Sequence, residues 1–354
     1  MGVTGRIAGL TAGAAGVAAA GTALRVAQRR RLISRRVGDP PAFGSLHSPP
    51  RTIIAEDGVP LHVEVDEVDE ARRGSSAPAV TIVFVHGYTL NLNCWHFQRA
   101  AYRGLVRTVF YDQRSHGRSG RGSITKGTID QLGRDLKCVI DAVVPDGPVV
   151  LVGHSMGGMT IVALAQQFPE LFGTKVLGAA LISTTAGGLD PSRVLFPMVP
   201  SRIGAGITHG TIRALGRGHR AVDGVRRIGR SLATVLTDAF AFGDEVPASY
   251  VEFVDDMIAA TPFQVAAEFF PGFRELDKFD HVGILGAVPT TVVCGTADRL
   301  TSVGHSRKLH SRIPGSTLLE CDNAGHMVIM ERHGQVNAAL DQLLAAAAER
   351  EQRA

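Results

Sequence analysis

A serine between two glycines gives the clearest chemical signal in the chain. Residues 149–158 read VVLVGHSMGG, so Ser155 lies between Gly153 and Gly157, after a β-branched run and before a stretch with helical spacing. The small glycines permit a tight turn from strand to helix. Such a turn holds the serine hydroxyl at its tip, beside the unpaired N–H groups of a helix N-terminus. In this context the pattern predicts that Ser155 is a nucleophile.

A serine hydroxyl needs a base to accept its proton and an acid to orient that base. The segment VCGTADRL places Asp298 after a predicted strand, and the segment DNAGH places His326 after the next one. Because the carboxyl ends of parallel strands meet at one edge of a sheet, we expect both side chains to approach Ser155. Asp298 could instead cap a helix, and Asp322 is the rival acid, although its position in the same loop as His326 suits a turn.

Short apolar runs alternate with helical stretches along the chain, and these elements must position the residues named above. This alternation indicates an α/β fold, with a mostly parallel twisted sheet and helices on both faces. A hairpin is predicted at 52–54 and 61–65, with further strands at 80–85, 108–111, 149–152, 176–182, 290–293 and 316–319. Helices are predicted near 92–104, 128–143, 156–167, 303–312 and 334–348.

The alternation is interrupted once, between Ile182 and Thr290, by more residues than one helix and its loops need. We interpret 187–270 as a helical cap inserted between two core segments, 52–186 and 271–354. Its apolar positions at helical spacing either pack on the core or, with Arg226, Arg227 and Arg230 beside them, form a basic lid that meets lipid. Its phenylalanines at 263, 269, 270 and 273 either line an acyl pocket or form cap core.

Four motifs together carry a family resemblance: HGY at 86–88, GHSMGG at 153–158, GTAD at 295–298 and AGH at 324–326. Over about 52–348 the chain resembles the α/β-hydrolase fold family, in its esterase- and lipase-like serine branch with a helical cap. The resemblance implies a Ser155–His326–Asp298 catalytic triad, with an oxyanion hole built from the backbone N–H groups of Tyr88 and Met156.

The same resemblance implies hydrolysis of carboxylic esters with hydrophobic or lipid-like acyl groups, without a cofactor or metal. The alternative is an acyltransferase or thioesterase with the same triad. His86 is expected to brace its loop. The segment DQRSHGRS at 112–119 is similar to a family turn in which Ser115 replaces the usual glycine, so a slightly different turn is expected there.

Composition and charge exclude several other classes of protein and partner. With 45% hydrophobic and 20% charged residues the chain is globular, and four cysteines in 354 residues exclude a disulfide scaffold. No zinc-ligand spacing and no nucleotide-binding glycine motif is present. Residues 1–38 carry a formal charge of +7, residues 187–243 carry +5, and the remainder carries −8. An acidic body argues against nucleic acid as a partner, whereas basic appendages suit an anionic membrane surface.

The residue pattern at the N-terminus predicts that the protein associates with a membrane. Residues 7–24 contain no charge, and arginines follow at once up to Arg36. We interpret 1–38 as a spanning or interfacial anchor that leaves the catalytic part on the cytoplasmic side, with a cleaved signal peptide or a disordered start as alternatives. The Pro-rich segment 39–51 is expected to be a linker. On this interpretation, removal of 1–38 releases the protein from the membrane and leaves its activity intact.

Overall fold

Eight strands pair into one sheet in the order β1-β2-β4-β3-β5-β6-β7-β8. The computed structural model describes residues 25–36, 42–69, 80–122, 127–189 and 234–352. The strands are β1 (Pro50–Ile54), β2 (Pro60–Asp66), β3 (Thr81–Val85), β4 (Thr108–Tyr111), β5 (Val149–His154), β6 (Val176–Ile182), β7 (Thr290–Gly295) and β8 (Thr317–Cys321). Strand β1 pairs with β2, and β2 with β4, in antiparallel orientation, and all later pairs are parallel.

Helices cover both faces of the sheet. They are α1 (His96–Tyr102), α2 (Ile129–Val143), α3 (Met156–Gln167), α4 (Ala248–Ala260), α5 (Phe263–Arg274), α6 (Val303–Arg312), α7 (Val328–Glu331) and α8 (His333–Glu351). Short 3₁₀ helices occur at Leu92–Trp95, Pro169–Leu171 and Phe279–Ala287. Two further helical stretches, 25–33 and 234–241, each adjoin residues outside the described ranges.

Continuous apolar runs form the central strands because these strands are buried on both faces. Along β3 the side chains alternate between two cores. Ile82 and Phe84 belong to a cluster that includes Trp95 of the first 3₁₀ helix and Leu340 of α8, whereas Val83 faces the other cluster, with helices α2 and α3. The prediction of a mostly parallel α/β sheet is therefore confirmed, including the antiparallel hairpin at its edge.

Within the described residues, three α-helical stretches lie between β6 and β7, ahead of the 3₁₀ helix Phe279–Ala287: 234–241, α4 and α5. We refer to them as the inserted helices. The first two, and α5 up to residue 270, fall in the segment 187–270 predicted as a cap. The arginines of that segment at 226, 227 and 230 lie outside the described residues. The apolar stretch at 7–24 also lies outside them. Among the helices that are described, none is both long and apolar enough to cross a bilayer.

Candidate active site

Ser155 lies at the sharp turn between β5 and α3, as its flanking glycines predict. Its backbone has φ 53° and ψ −119°, a strained conformation for a residue with a side chain. The turn has no room for larger neighbours. A Cβ on Gly157 would lie 2.0 Å from the carbonyl oxygen of Val85, and one on Gly153 would lie 2.5 Å from that of Gly157. Close backbone packing therefore forces the serine to the tip of the turn.

Asp298 and His326 form a hydrogen-bonded pair at the same edge of the sheet. Asp298 follows β7, His326 follows β8, and the Nδ1 atom of His326 lies 2.9 Å from Oδ2 of Asp298. The Asp298 carboxylate also accepts hydrogen bonds from the backbone N–H groups of Leu300 (2.8 Å) and Thr301 (2.9 Å). With Nδ1 engaged, the other ring nitrogen of His326 is the one available for proton transfer in the cavity.

The Asp298 carboxylate is held in its charged form although it is buried. Burial by itself raises the pKa of this group, but the nearby His326 charge and the hydrogen bonds outweigh burial and keep the pKa below its ordinary value. The hydroxyl of Thr301 donates a further hydrogen bond to Oδ2 at 2.8 Å. Thr301 was missed by the sequence analysis. The rival acid, Asp322, is exposed in the loop before His326, and its carbonyl oxygen accepts a hydrogen bond from Arg332.

Two backbone N–H groups beside Ser155 are available to a ligand. Among the described residues, no protein acceptor takes the backbone N–H of Tyr88 or of Met156. The loop containing Tyr88 passes close to the serine, since a Cβ on Gly87 would lie 3.2 Å from the Ser155 Cβ. The Tyr88 hydroxyl donates to the carbonyl oxygen of Ala266 at 2.6 Å, which ties this loop to α5.

His86 braces the Tyr88 loop, as expected. Its Nε2 accepts the backbone N–H of Gln113 at 2.9 Å, and its Nδ1–H donates to the carbonyl oxygen of Gly87 at 2.7 Å. Burial, reinforced by the neighbouring His116, lowers the pKa of His86 to about 3, so the ring is neutral at physiological pH. In the nearby 112–119 turn, Ser115 adopts the left-handed conformation that usually favours glycine, with φ 66°.

His154 connects the serine turn to the histidine loop. Its Nε2–H donates to the carbonyl oxygen of His326 at 3.0 Å. Burial, followed by the charge of His326, lowers the pKa of His154 to about 3. A neutral ring with Nε2 as the donor therefore joins two loops that come from strands β5 and β8. The sequence indicated only that His154 packs beside the site.

Ser155 and His326 line one cavity of about 420 Å³, whose walls are mostly apolar. Its inner side is formed by Leu90, Met159 and Met327, and its outer side by the inserted helices. The outer side consists of Leu236, Thr237, Phe240, Ala241, Val254, Asp255, Ile258, Thr261, Ala266 and Phe273. We call this outer side the wall.

The two interpretations of the phenylalanines both apply in part. Phe273 lines the cavity, and together with Phe269 it also belongs to a buried apolar cluster that includes Met156 and Met159. The side chains of Phe263 and Phe270 lie outside the described part of the structure. The position of Phe273 gives the cavity an aromatic side next to Tyr88, whose ring lies 4.9 Å away in edge-on contact.

Comparison with known proteins gives a consistent family. The family described as "Alpha/beta hydrolase family" matches residues 82–339. The chain is 27% identical over 259 residues to the dihydrolipoyllysine-residue acetyltransferase component of the acetoin cleaving system of Pseudomonas putida. That alignment covers 72% of this chain and 61% of the relative, so it spans less than two thirds of that protein.

A second relative is the monoacylglycerol lipase of Mycolicibacterium smegmatis. It is 24% identical over 241 residues, which cover 67% of this chain and 76% of the lipase. Among solved structures, the chain is similar to an esterase from Exiguobacterium antarcticum, with a TM-score of 0.64 and 18% identity over 85% of this chain and 100% of that one. At this identity the structural likeness shows the fold.

Proposed function

The chain belongs to the alpha/beta hydrolase family, and from this premise we propose that it is a serine hydrolase that cleaves carboxylic esters of hydrophobic acyl groups. One observation carries the proposal. The hydrogen-bonded Asp298–His326 pair and the strained Ser155 turn meet at a single apolar cavity. A nucleophile, a base and an orienting acid are the three parts that acyl transfer to serine requires.

In the proposed reaction the Ser155 hydroxyl attacks the ester carbonyl while Nε2 of His326 takes its proton. The ionised Asp298 stabilises the imidazolium that forms. The negative charge on the carbonyl oxygen is stabilised by the backbone N–H groups of Tyr88 and Met156, which lack a protein acceptor within the described residues. His326 then protonates the departing alcohol. Water, deprotonated by the same ring, releases the acid from Ser155.

The preference for hydrophobic acyl groups is supported by the wall. Leu236, Phe240 and Ile258 offer apolar surface to a bound chain, and removal of such surface from water contributes about 25 cal/mol per Å². A short acyl group leaves most of this surface uncovered. We therefore expect kcat/KM to rise with acyl length until the chain fills the cavity.

Replacement of the nucleophile tests the proposal. Ser155→Ala should lower kcat by about 10⁶-fold toward p-nitrophenyl esters of every length and abolish covalent labelling by a fluorophosphonate. Ser302→Ala is a matched control, because Ser302 is an exposed serine that precedes α6, and it should keep full activity and labelling. Undiminished ester cleavage by Ser155→Ala would refute the assignment.

Acyl transfer to an acceptor other than water is the second candidate. It is favoured by the similarity to the Pseudomonas putida relative, which is an acetyltransferase component. Product analysis in the presence of short alcohols separates the two reactions. Free acid as the main product supports the hydrolase, whereas a transferred acyl group as the main product supports the alternative.

We also propose that the N-terminal segment binds an anionic membrane surface, with the catalytic part on the cytoplasmic side. The 25–33 helix presents Arg25, Arg31 and Leu32 to solvent, and Leu32 is 56% exposed. Arg25→Gln combined with Arg31→Gln should reduce sedimentation with phosphatidylserine vesicles at low salt, whereas Arg312→Gln on α6 should not. Full-length protein that stays entirely in the supernatant would contradict this proposal.

A further inference from the structure

The arginine-rich segment predicted as part of a membrane anchor is packed against the inserted helices. Ile33 is only 2% exposed and belongs to the main core cluster. The guanidinium of Arg36 donates to Asp238 from Nη1 at 2.5 Å and from Nη2 at 3.4 Å, and Arg29 donates to the same carboxylate at 3.3 Å. We call residues 25–36 the strap.

Asp238 lies on the helical stretch 234–241, which forms part of the wall. Leu236, Thr237, Phe240 and Ala241 of this stretch line the cavity. At about 100° per residue these four positions share one side of the helix, and Asp238 projects from another side. The carboxylate is 4% exposed as a residue, so it is nearly as buried as the core. The strap thus holds the wall from behind.

The strap has further attachments next to this ion pair. The carbonyl oxygen of Arg36 accepts the backbone N–H of Ala248 at 3.3 Å, at the start of α4. Beyond the strap, Phe43 stacks on Phe253 of α4 with ring centroids 4.5 Å apart. Helix α4 supplies Val254 and Ile258 to the wall. Two neighbouring parts of the wall are therefore held by one short N-terminal segment.

The other end of the 234–241 stretch is held by the catalytic loop. The carbonyl oxygen of Ala241 accepts the backbone N–H of Met327 at 2.7 Å, and Glu331 accepts the backbone N–H groups of Gly243 and Asp244 at 3.0 Å each. These contacts hold the Ala241 end of the stretch, so the ion pair at Asp238 is the attachment nearer to Leu236 and Thr237.

We propose that the Asp238–Arg36 ion pair is a positioning device that sets the acyl preference of the cavity. The proposal rests on the function proposed above. Asp238→Asn leaves Arg36 and Arg29 without their shared buried partner, and among the described residues Arg36→Met leaves the buried carboxylate only the longer contact with Arg29 at 3.3 Å. The helix relieves either imbalance by moving until water reaches the charge. Such a movement shifts Leu236 and Thr237 relative to Ser155 without touching the His326–Asp298 hydrogen bond. Long acyl groups, which reach the wall, are affected, and an acetyl group is not.

Removal of residues 1–38 takes away Arg29 and Arg36, which pair with Asp238, and the core residue Ile33. The sequence alone predicts that this truncation leaves activity intact, whereas the contacts of the strap predict that the truncated protein loses its preference for long acyl groups.

The test compares Asp238→Asn and Arg36→Met with the unmodified full chain. We expect the ratio of kcat/KM for p-nitrophenyl octanoate over acetate to fall by about tenfold, while kcat/KM for acetate stays within about threefold. Arg35→Met is the matched control, because Arg35 neighbours Arg36 but is exposed, and its ratio should be unchanged. An unchanged ratio in both test variants, or an equal loss for both esters, overturns the proposal.

The reversed pair, Arg36→Asp with Asp238→Arg, distinguishes a specific ion pair from general instability. It should restore at least part of the octanoate preference, and a ratio no better than that of the single variants counts against the proposal. If a single variant fails to fold, Arg36→Lys, which keeps the charge, is measured in its place. Its ratio of kcat/KM for octanoate over acetate should lie between the ratios of wild type and Arg36→Met.

The outcome is separable from failure of the proposed function. Affinity for a fluorescent long-chain fatty acid, measured in the Ser155→Ala background, reports the wall without any turnover. A loss of about tenfold in that affinity on adding Asp238→Asn supports the strap even if Ser155 were not the nucleophile. Unchanged affinity counts against it.

Discussion

The catalytic edge of the sheet and the wall of the cavity are built in different ways. At the edge, backbone packs on backbone: a Cβ on Gly325 would lie 2.4 Å from the backbone nitrogen of Gly243. The wall is made of side chains such as Leu236 and Ile258, which keep partial solvent exposure. Close backbone packing restricts the turns around Ser155 and His326, whereas side chains on the inserted helices can change without disturbing the sheet. In the function proposed above, the edge carries out the reaction and the wall sets the selectivity.

The largest effect in this comparison is expected from a substitution at the edge of the sheet. Asp298→Asn removes the charge that stabilises protonated His326 and should lower kcat by about 10⁴-fold for short and long esters alike. Steady-state kinetics across acyl lengths provides the measurement. Asp322→Asn, the exposed rival in the preceding loop, should remain close to wild type. If the two variants exchange these behaviours, the acid has been assigned to the wrong residue.

The next effect tests the packing of the edge. Gly157→Ala should lower the free energy of unfolding by about 3 kcal/mol or more, because the new methyl would meet the carbonyl oxygen of Val85, a backbone atom that cannot move aside. Urea denaturation measures it. Gly334→Ala, where nothing lies within 4 Å of the added Cβ in α8, should be neutral or stabilising by up to about 1 kcal/mol. Equal stability of the two variants would show that the turn has room for an added methyl group.

A smaller effect is expected from a substitution in the wall, which tests whether the wall determines the acyl preference. Phe240→Ala removes aromatic surface from the cavity and should lower kcat/KM for an octanoyl ester by about tenfold, with little change for an acetyl ester. Leu105→Ala, at a solvent-exposed position outside the cavity lining, is the control and should leave both values unchanged. A uniform loss for both esters would mean that the wall also positions the reacting groups.

The smallest effect is in the pH dependence of stability. Because the pKa of Asp298 is lowered in the folded state, its ionised form stabilises the protein above its ordinary pKa of 3.8, and this stabilisation is lost as pH falls toward the lowered value. Wild type should therefore lose stability more steeply than Asp298→Asn below about pH 4. The slopes of the free energy of unfolding against pH should differ between the two proteins by at most about 1.4 kcal/mol per pH unit, the value for one proton. Urea unfolding at a series of acidic pH values would show parallel curves if this expectation is wrong.

Much of the fold followed from local patterns. The predicted bounds of strands 108–111 and 176–182 and of helices 156–167 and 303–312 agree with the structure at both ends. Here periodicity and burial act within one element, so adjacent residues contain the information. The predicted helix at 92–104 was less accurate. The chain there forms a 3₁₀ turn followed by the short α1, since Asn91 accepts the backbone N–H of Asn93 and starts the 3₁₀ turn.

The parts of the site that were predicted are those with short motifs at strand ends. Ser155, Asp298 and His326 could be found because each follows a recognisable strand and turn. Thr301 could not be found, because its hydroxyl matters only once the Asp298 turn brings it to 2.8 Å from Oδ2. The contact of the strap with Asp238 could not be predicted, because Asp238 lies 202 positions away from Arg36 and charge alone suggested a membrane partner.

The alternation of strands and helices, the serine turn and the candidates for acid and base could all be predicted from the amino-acid sequence. Each of these depends on residues that are neighbours along the chain. The side chains of the wall, the carboxylate that contacts His326 and the contact of the N-terminal arginines with Asp238 became known from the folded structure. Those contacts join distant segments, and their stability comes from burial and charge pairing that exist only after the chain has folded.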